Sequence, residues 1–128
     1  WTATTSSSPT FSAASVTPGT HVVGIGSFQP SMVEIEPSIL GKGSVFVDQI
    51  EASWAEAGEM IAARSEGLLE FDEVNELGEI VLGRHPGRVN DEEVTVFKSV
   101  GIAAQDAVAS SIILDTAATH GLGTTVQL

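Results

Sequence analysis

The run HVVGIGSFQP at positions 21–30 places three apolar-compatible residues, His21, Val22 and Val23, directly before a turn built on Gly24 and Gly26. A compact apolar strand that ends in a tight glycine turn is what the carboxyl end of a buried parallel strand looks like, and open α/β sheets bind their ligands at those ends. Glycine there serves one of two ends: close approach of the backbone to a flat ring or sugar, or simply a tight strand-to-loop turn. The run has no third glycine of a G-x-G-x-x-G fingerprint, and Pro30 follows where a helix amino terminus would be needed, so it is not a pyrophosphate loop.

Working outward, Trp1–Thr5 is short and β-prone, and the Ser6–Pro9 cluster ends it as a loop. Pro18–Thr20 reads as a turn before the first clear strand over 21–25. Pro30–Glu36 reads as loop, and Pro37 suits the first position of a short helix through Leu40. After the Gly41–Gly43 turn, SVFVD at 44–48 is a further strand. Asp48 with Glu51 three residues on has the spacing of a capping box and starts a helix over 49–57. A strand followed at once by a helix is the pattern of an α/β fold.

Residues 59–75 give no clear pattern. ELGEIVLG at 76–83 puts Leu77, Ile80 and Val81 on one helical face and ends at Gly83. The Arg84–Asn90 segment reads as loop, and VTVFKS at 94–99 reads as a strand. A long helix over 100–117 carries small residues that imply close packing against another element, and a tail follows Gly121 and Gly123.

The composition narrows the function classes. The chain has 128 residues, enough for one core, and no run of apolar residues approaches the roughly 18 a membrane helix needs. With no Cys, thiolate nucleophiles, disulfides and Cys-based zinc sites are excluded. Seventeen acidic against five basic residues give a formal net charge of -12, which repels nucleic acid backbones and anionic membrane surfaces. The acids read as a solvated face, Glu34 and Glu36 included, although both lie just past the glycine turn. No G-x-S-x-G elbow occurs, and His21, His85 and His120 lack the spacing of a zinc helix, so neither serine hydrolysis nor a metal site is supported.

Taken in order, TATTSS, PGTHVVGIGSFQPSMVEI, VFVD, AEAGE, ELGEIVLGRHPGR and EVTVFKSVGIAAQD resemble the carboxyl-terminal portion of the ornithine cyclodeaminase/mu-crystallin family, over nearly the whole chain. The resemblance implies an α/β fold: the second half of a Rossmann-type parallel sheet. A long carboxyl-terminal helix would return to a substrate and dimerisation domain that this chain lacks. Residues 1–98 are then a partial NAD(P)-binding domain without its first β-α-β unit, and 99–128 the helix and tail. The segments at 1–5, 21–26 and VFVD would be its last three strands.

The same resemblance implies NAD(P)H as cofactor and a cyclic ketimine or imino acid, such as pyrroline-2-carboxylate or piperideine-2-carboxylate, as substrate. It puts Thr4 at the cofactor ribose or phosphates, and Ile25 and Gly26 beneath the nicotinamide with the Ser27 hydroxyl beside them. Ser99 and Val100 fall where the chain passes the nicotinamide and the substrate. Phe28 stands where ornithine cyclodeaminases carry an aspartate, and Met32 where they carry a lysine; Phe neither ionises nor hydrogen-bonds, which favours the ketimine reductase branch. Ornithine cyclodeaminase, alanine dehydrogenase and a non-catalytic nucleotide- or small-ligand-binding protein are the alternatives. A cytoplasmic homo-oligomer, a dimer, is expected of the parent, and the 128 residues alone are expected to be catalytically silent and self-associating.

Overall fold

A computed structural model describes residues 1–126. Its centre is a four-stranded, wholly parallel sheet of β1 (His21–Gly24), β2 (Ser44–Val47), β3 (Val74–Glu76) and β4 (Thr95–Lys98), in the order β1-β4-β2-β3. The helices are α1 (Pro37–Leu40), α2 (Ile50–Glu56), α3 (Gly58–Ser65), α4 (Leu77–Val81) and α5 (Ala103–His120).

The last strand in sequence lies in the middle of the sheet. β4 pairs with β1 from His21↔Thr95 to Gly24↔Lys98 and with β2 from Ser44↔Thr95 to Val47↔Lys98. VFVD therefore lies beside β4 and not beside the 21–26 strand. The Trp1–Thr5 segment contributes a single parallel bridge, Thr2↔Gly24, on the free side of β1. β3, in the stretch without a clear pattern, forms the other edge by pairing with β2.

One face of the sheet holds the core. Val22, Val45, Val47, Val74 and Val96 meet Ile35, Ile39 and Leu40 from the α1 region and Met60 and Ala63 from α3, all buried. Each such side chain contributes roughly 1.5–3 kcal/mol by leaving water, which is what holds α1 and α3 on this face. The opposite face carries Phe46, with His85 edge-on to its ring at 5.5 Å between centroids. A cleft of about 430 Å³ lies there against Phe46, Phe97, Ile80 and Arg88.

The helix at 49–57 is present as α2, but the capping box is not. Gln49 is the cap residue and makes no side-chain cap bond. Instead the Ile50 N–H donates to Glu76 Oε1 at 3.0 Å, so the end of β3 caps α2. α4 stops before Gly83 as expected, with Leu82 as its cap. α5 ends three residues further on than expected, and none of its residues is buried, so nothing among the described residues covers its small side chains. Among the described residues no helix is long and apolar enough to cross a membrane. Of the expected tail, residues 127–128 lie outside the described residues.

Candidate cofactor-facing site at the carboxyl ends of the strands

The four parallel strands release their chains at one edge, where the Gly24–Ser27 turn, Asp48, Glu76 and Lys98–Ser99 come together. A parallel sheet gathers functional groups in this way without any local sequence proximity.

Glu34 organises the turn. Its side chain is fully buried, and its Oε2 accepts from Gly26 N at 2.7 Å and Ser27 N at 3.0 Å, while Oε1 accepts from Thr4 N. Burial alone would raise the pKa of this carboxyl; the three backbone N–H donors outweigh it and hold the group below its ordinary value. Glu34 is thus no surface acid. The loop carrying it is itself fixed, with Val33 N donating to Ser6 O at 2.8 Å and Thr10 N to Glu34 O at 2.9 Å. Glu36, half-buried, accepts from Ala13 N and Ser38 Oγ, both at 2.7 Å, and its pKa is lowered chiefly by the first of these.

The glycine at 26 has a specific cause. A Cβ there would collide with the Ala3–Thr4 backbone, so on that side the close approach is made by the protein's own chain. Ile25 N in turn donates to Thr2 O at 3.1 Å. The result is a sandwich of Thr2–Thr4 on the turn, with Ile25 52% and Phe28 47% exposed beyond it.

Thr4, Ile25, Gly26 and Ser27 are therefore together, and Ser99 N joins them by donating to Gly24 O at 3.0 Å. Two hydroxyls differ from expectation. Ser27 is fully buried and its Oγ donates to the carboxylate of Glu59, 2.8 Å away, so it faces the interior and offers a bound ring nothing. Ser99 Oγ is committed to Asp48 Oδ2 at 2.6 Å, and the same oxygen accepts from Gly101 N at 2.8 Å. Asp48, read from sequence as a helix cap, instead latches the chain where it leaves β4. Val100 is half-buried against the core.

Sequence reasoning missed Lys98 and Glu59. Both are fully buried; Lys98 Nζ lies 3.5 Å from Glu59 Oε1 and 4.0 Å from Glu34 Oε2, and donates to Ser27 O at 2.7 Å. An ionisable residue on the core face of a strand, in register with Val96, is the signal that would have found Lys98.

The residues present suit one end of a dinucleotide. Ile25 and Phe28 leave apolar surface exposed near the carboxyl edge, as a flat ring would need, and no G-x-G-x-x-G run that would seat a diphosphate occurs in the sequence.

Comparison with known proteins shows what the whole chain is similar to. The chain is 39% identical, over 98% of its length, to a Δ1-pyrroline-2-carboxylate reductase of Bacillus thuringiensis subsp. konkukian, and it spans 39% of that protein's length. The Thermococcus litoralis Δ1-pyrroline-2-carboxylate reductase, solved in complex with NADH and L-proline, superposes with a TM-score of 0.91 at 34% identity, covering 97% of this chain and 39% of that one. An archaeal alanine dehydrogenase dimer with bound NAD superposes with a TM-score of 0.86 at 32% identity, over 98% of this chain and 39% of that chain. The model of the ornithine cyclodeaminase/mu-crystallin family matches residues 1–121, and the chain belongs to that family.

Proposed function

We propose that this chain is the nicotinamide-facing part of an NAD(P)H-dependent reductase of cyclic imino acids, of the pyrroline-2-carboxylate or piperideine-2-carboxylate type. The reading rests on a single observation: the Gly24–Ser27 turn, pinned by Glu34 at the strands' carboxyl edge, presents Ile25 and, just past its end, Phe28, with no ionisable side chain of the turn facing outward. Relatives that reduce pyrroline-2-carboxylate, and a neighbour holding NADH and L-proline, support it.

NAD(P)H, when bound, supplies the hydride. The protein's own residues supply position. Ile25 and Gly26 would hold the nicotinamide, Thr4 would contact the ribose or phosphates, and Ser99 and Val100 would line the passage to the substrate. Phe28 can neither give nor take a proton, which weighs against cyclodeamination of a diamino acid. The proton that completes the amine therefore comes from a group outside this turn. Residues 1–98 act as the carboxyl half of the dinucleotide-binding domain, and 99–128 carry the chain toward the substrate and dimerisation domain. The whole protein is proposed to be a cytoplasmic dimer; the dimeric neighbour supports the second part of that reading.

The test is oxidation of NADH or NADPH by the whole protein with each cyclic imino acid, set against ammonia release from ornithine and NAD-dependent oxidation of alanine. Imino-acid-dependent oxidation yielding proline or pipecolate is the expected result. Ammonia release or alanine oxidation at higher kcat/KM moves the protein to another branch, and cofactor binding with no turnover on any substrate makes it a binding protein.

A further inference from the structure

We propose that Lys98 and Glu59 are positioning residues that clamp the Gly24–Ser27 turn from inside the protein and so fix the surface on which the nicotinamide lies. The inference rests on the function proposed above and adds the device that shapes the site.

Three ionisable side chains, Lys98, Glu34 and Glu59, are fully buried within one cluster. Removing charges from water is costly, and an apolar trio of similar volume would fill the same core without that cost. The cluster's return is geometrical. Lys98 Nζ donates to Ser27 O at 2.7 Å and reaches Gly24 O at 3.4 Å, so one ammonium holds both ends of the turn. Glu34 holds the N–H groups of Gly26 and Ser27 from the other side. Glu59, in the first turn of α3, accepts the Ser27 hydroxyl and lies 3.5 Å from Nζ.

Side chains thus grip the turn through its carbonyls, its amides and its one polar side chain, while only Ile25 within it faces out. With two glycines in four residues, the turn is the part of this edge that loosens most readily once the grip is removed. Holding it in one shape removes an ordering cost from cofactor binding, the general advantage of preorganisation. None of the three groups reaches the exposed edge, so they act through the backbone they hold.

The experiment compares the wild-type whole protein with K98M/E59Q, which removes one charge of each sign, and with S27A, which cuts only the hydroxyl link. Amide hydrogen exchange of Gly26 and Ser27 is measured without cofactor, and NADH and NADPH affinities are measured by fluorescence titration alongside kcat. K98M/E59Q is expected to speed exchange at those two amides about tenfold, with β2 amides unchanged, and to weaken cofactor affinity by a similar factor at nearly constant kcat under saturation. S27A gives a smaller change in the same direction, and it carries the test if the double variant does not fold. A lowered Tm with unchanged turn exchange and unchanged affinity per folded molecule would overturn the proposal and leave the cluster merely structural. Wild-type protein that binds neither cofactor overturns the function itself and the cofactor role with it, while the exchange data still decide whether the clamp exists.

Discussion

Glu34→Gln isolates the chemistry on which the turn depends. The substitution keeps shape and volume and removes the charge. An amide oxygen placed at Oε2 can still accept from Gly26 and Ser27, but each bond loses its charge assistance, about 1 kcal/mol apiece. The amide nitrogen then faces Thr4 N, donor against donor, and leaves a partly buried N–H without a partner at a cost of about 2 kcal/mol. Neutralising one buried carboxylate returns roughly 1 kcal/mol of desolvation, for a net loss of about 3 kcal/mol. For a unit of 128 residues that corresponds to a fall in Tm of roughly 10 °C.

The pH dependence follows from the direction of the Glu34 shift. Its folded pKa is held below the ordinary carboxylate value, so its contribution is fully present above the unfolded value of about 4.3 and is lost as pH falls through the folded one. The wild type should therefore exceed Glu34→Gln by a constant margin above about pH 5, and the margin should shrink below about pH 4. Thermal unfolding of both proteins across that range is the assay. A Tm within about 2 °C of wild type at neutral pH, or parallel profiles down to about pH 3, would refute the assignment.

Gly26→Ala drives a methyl group into the Thr4 backbone and should cost about 3 kcal/mol, with faster amide exchange at Thr2 and Ile25 as the strand bridge opens; unchanged exchange would deny the contact. Asp48→Asn removes charge from the latch on Ser99 and Gly101 and should cost about 1–2 kcal/mol, read as faster exchange at Gly101 with the β1–β4 ladder intact. Glu76→Ala leaves the Ile50 N–H of α2 without its side-chain acceptor and should cost about 1 kcal/mol in thermal unfolding, with Glu76→Gln recovering most of it.

Much of the architecture was legible because local patterns carry it. HVVG, SVFV and TVFK are apolar runs bounded by turn residues, Pro37 opens a helix, and Gly83 follows the end of another. Sheet order was not legible, since nothing local to β4 says that it inserts between β1 and β2. β3 escaped because a three-residue strand whose neighbours are a 3-10 turn and a helix has no periodicity to read. Asp48 carries the chemistry of a cap and was spent on Ser99 and Gly101, partners 51 and 53 positions away that only the fold brings near.

The site was legible as a place more than as a set of roles. The glycine turn was found at the right edge, yet Gly26 answers to Thr4 and the Ser27 hydroxyl to Glu59. Glu34 looked like one more acid in a chain with 17 of them. Strand alternation in TVFK puts Lys98 on the face of Val96, so a central-strand assignment would have demanded buried carboxylate partners for it.

The most direct test of the central claim is a crystal structure of the whole protein with bound NADH or NADPH. The account predicts the nicotinamide ring lying over Ile25 and Gly26, with Ser99 and Val100 beside it and Lys98 and Glu59 still beneath the turn. A nicotinamide bound elsewhere, with the Gly24–Ser27 turn facing only solvent or protein, would contradict it.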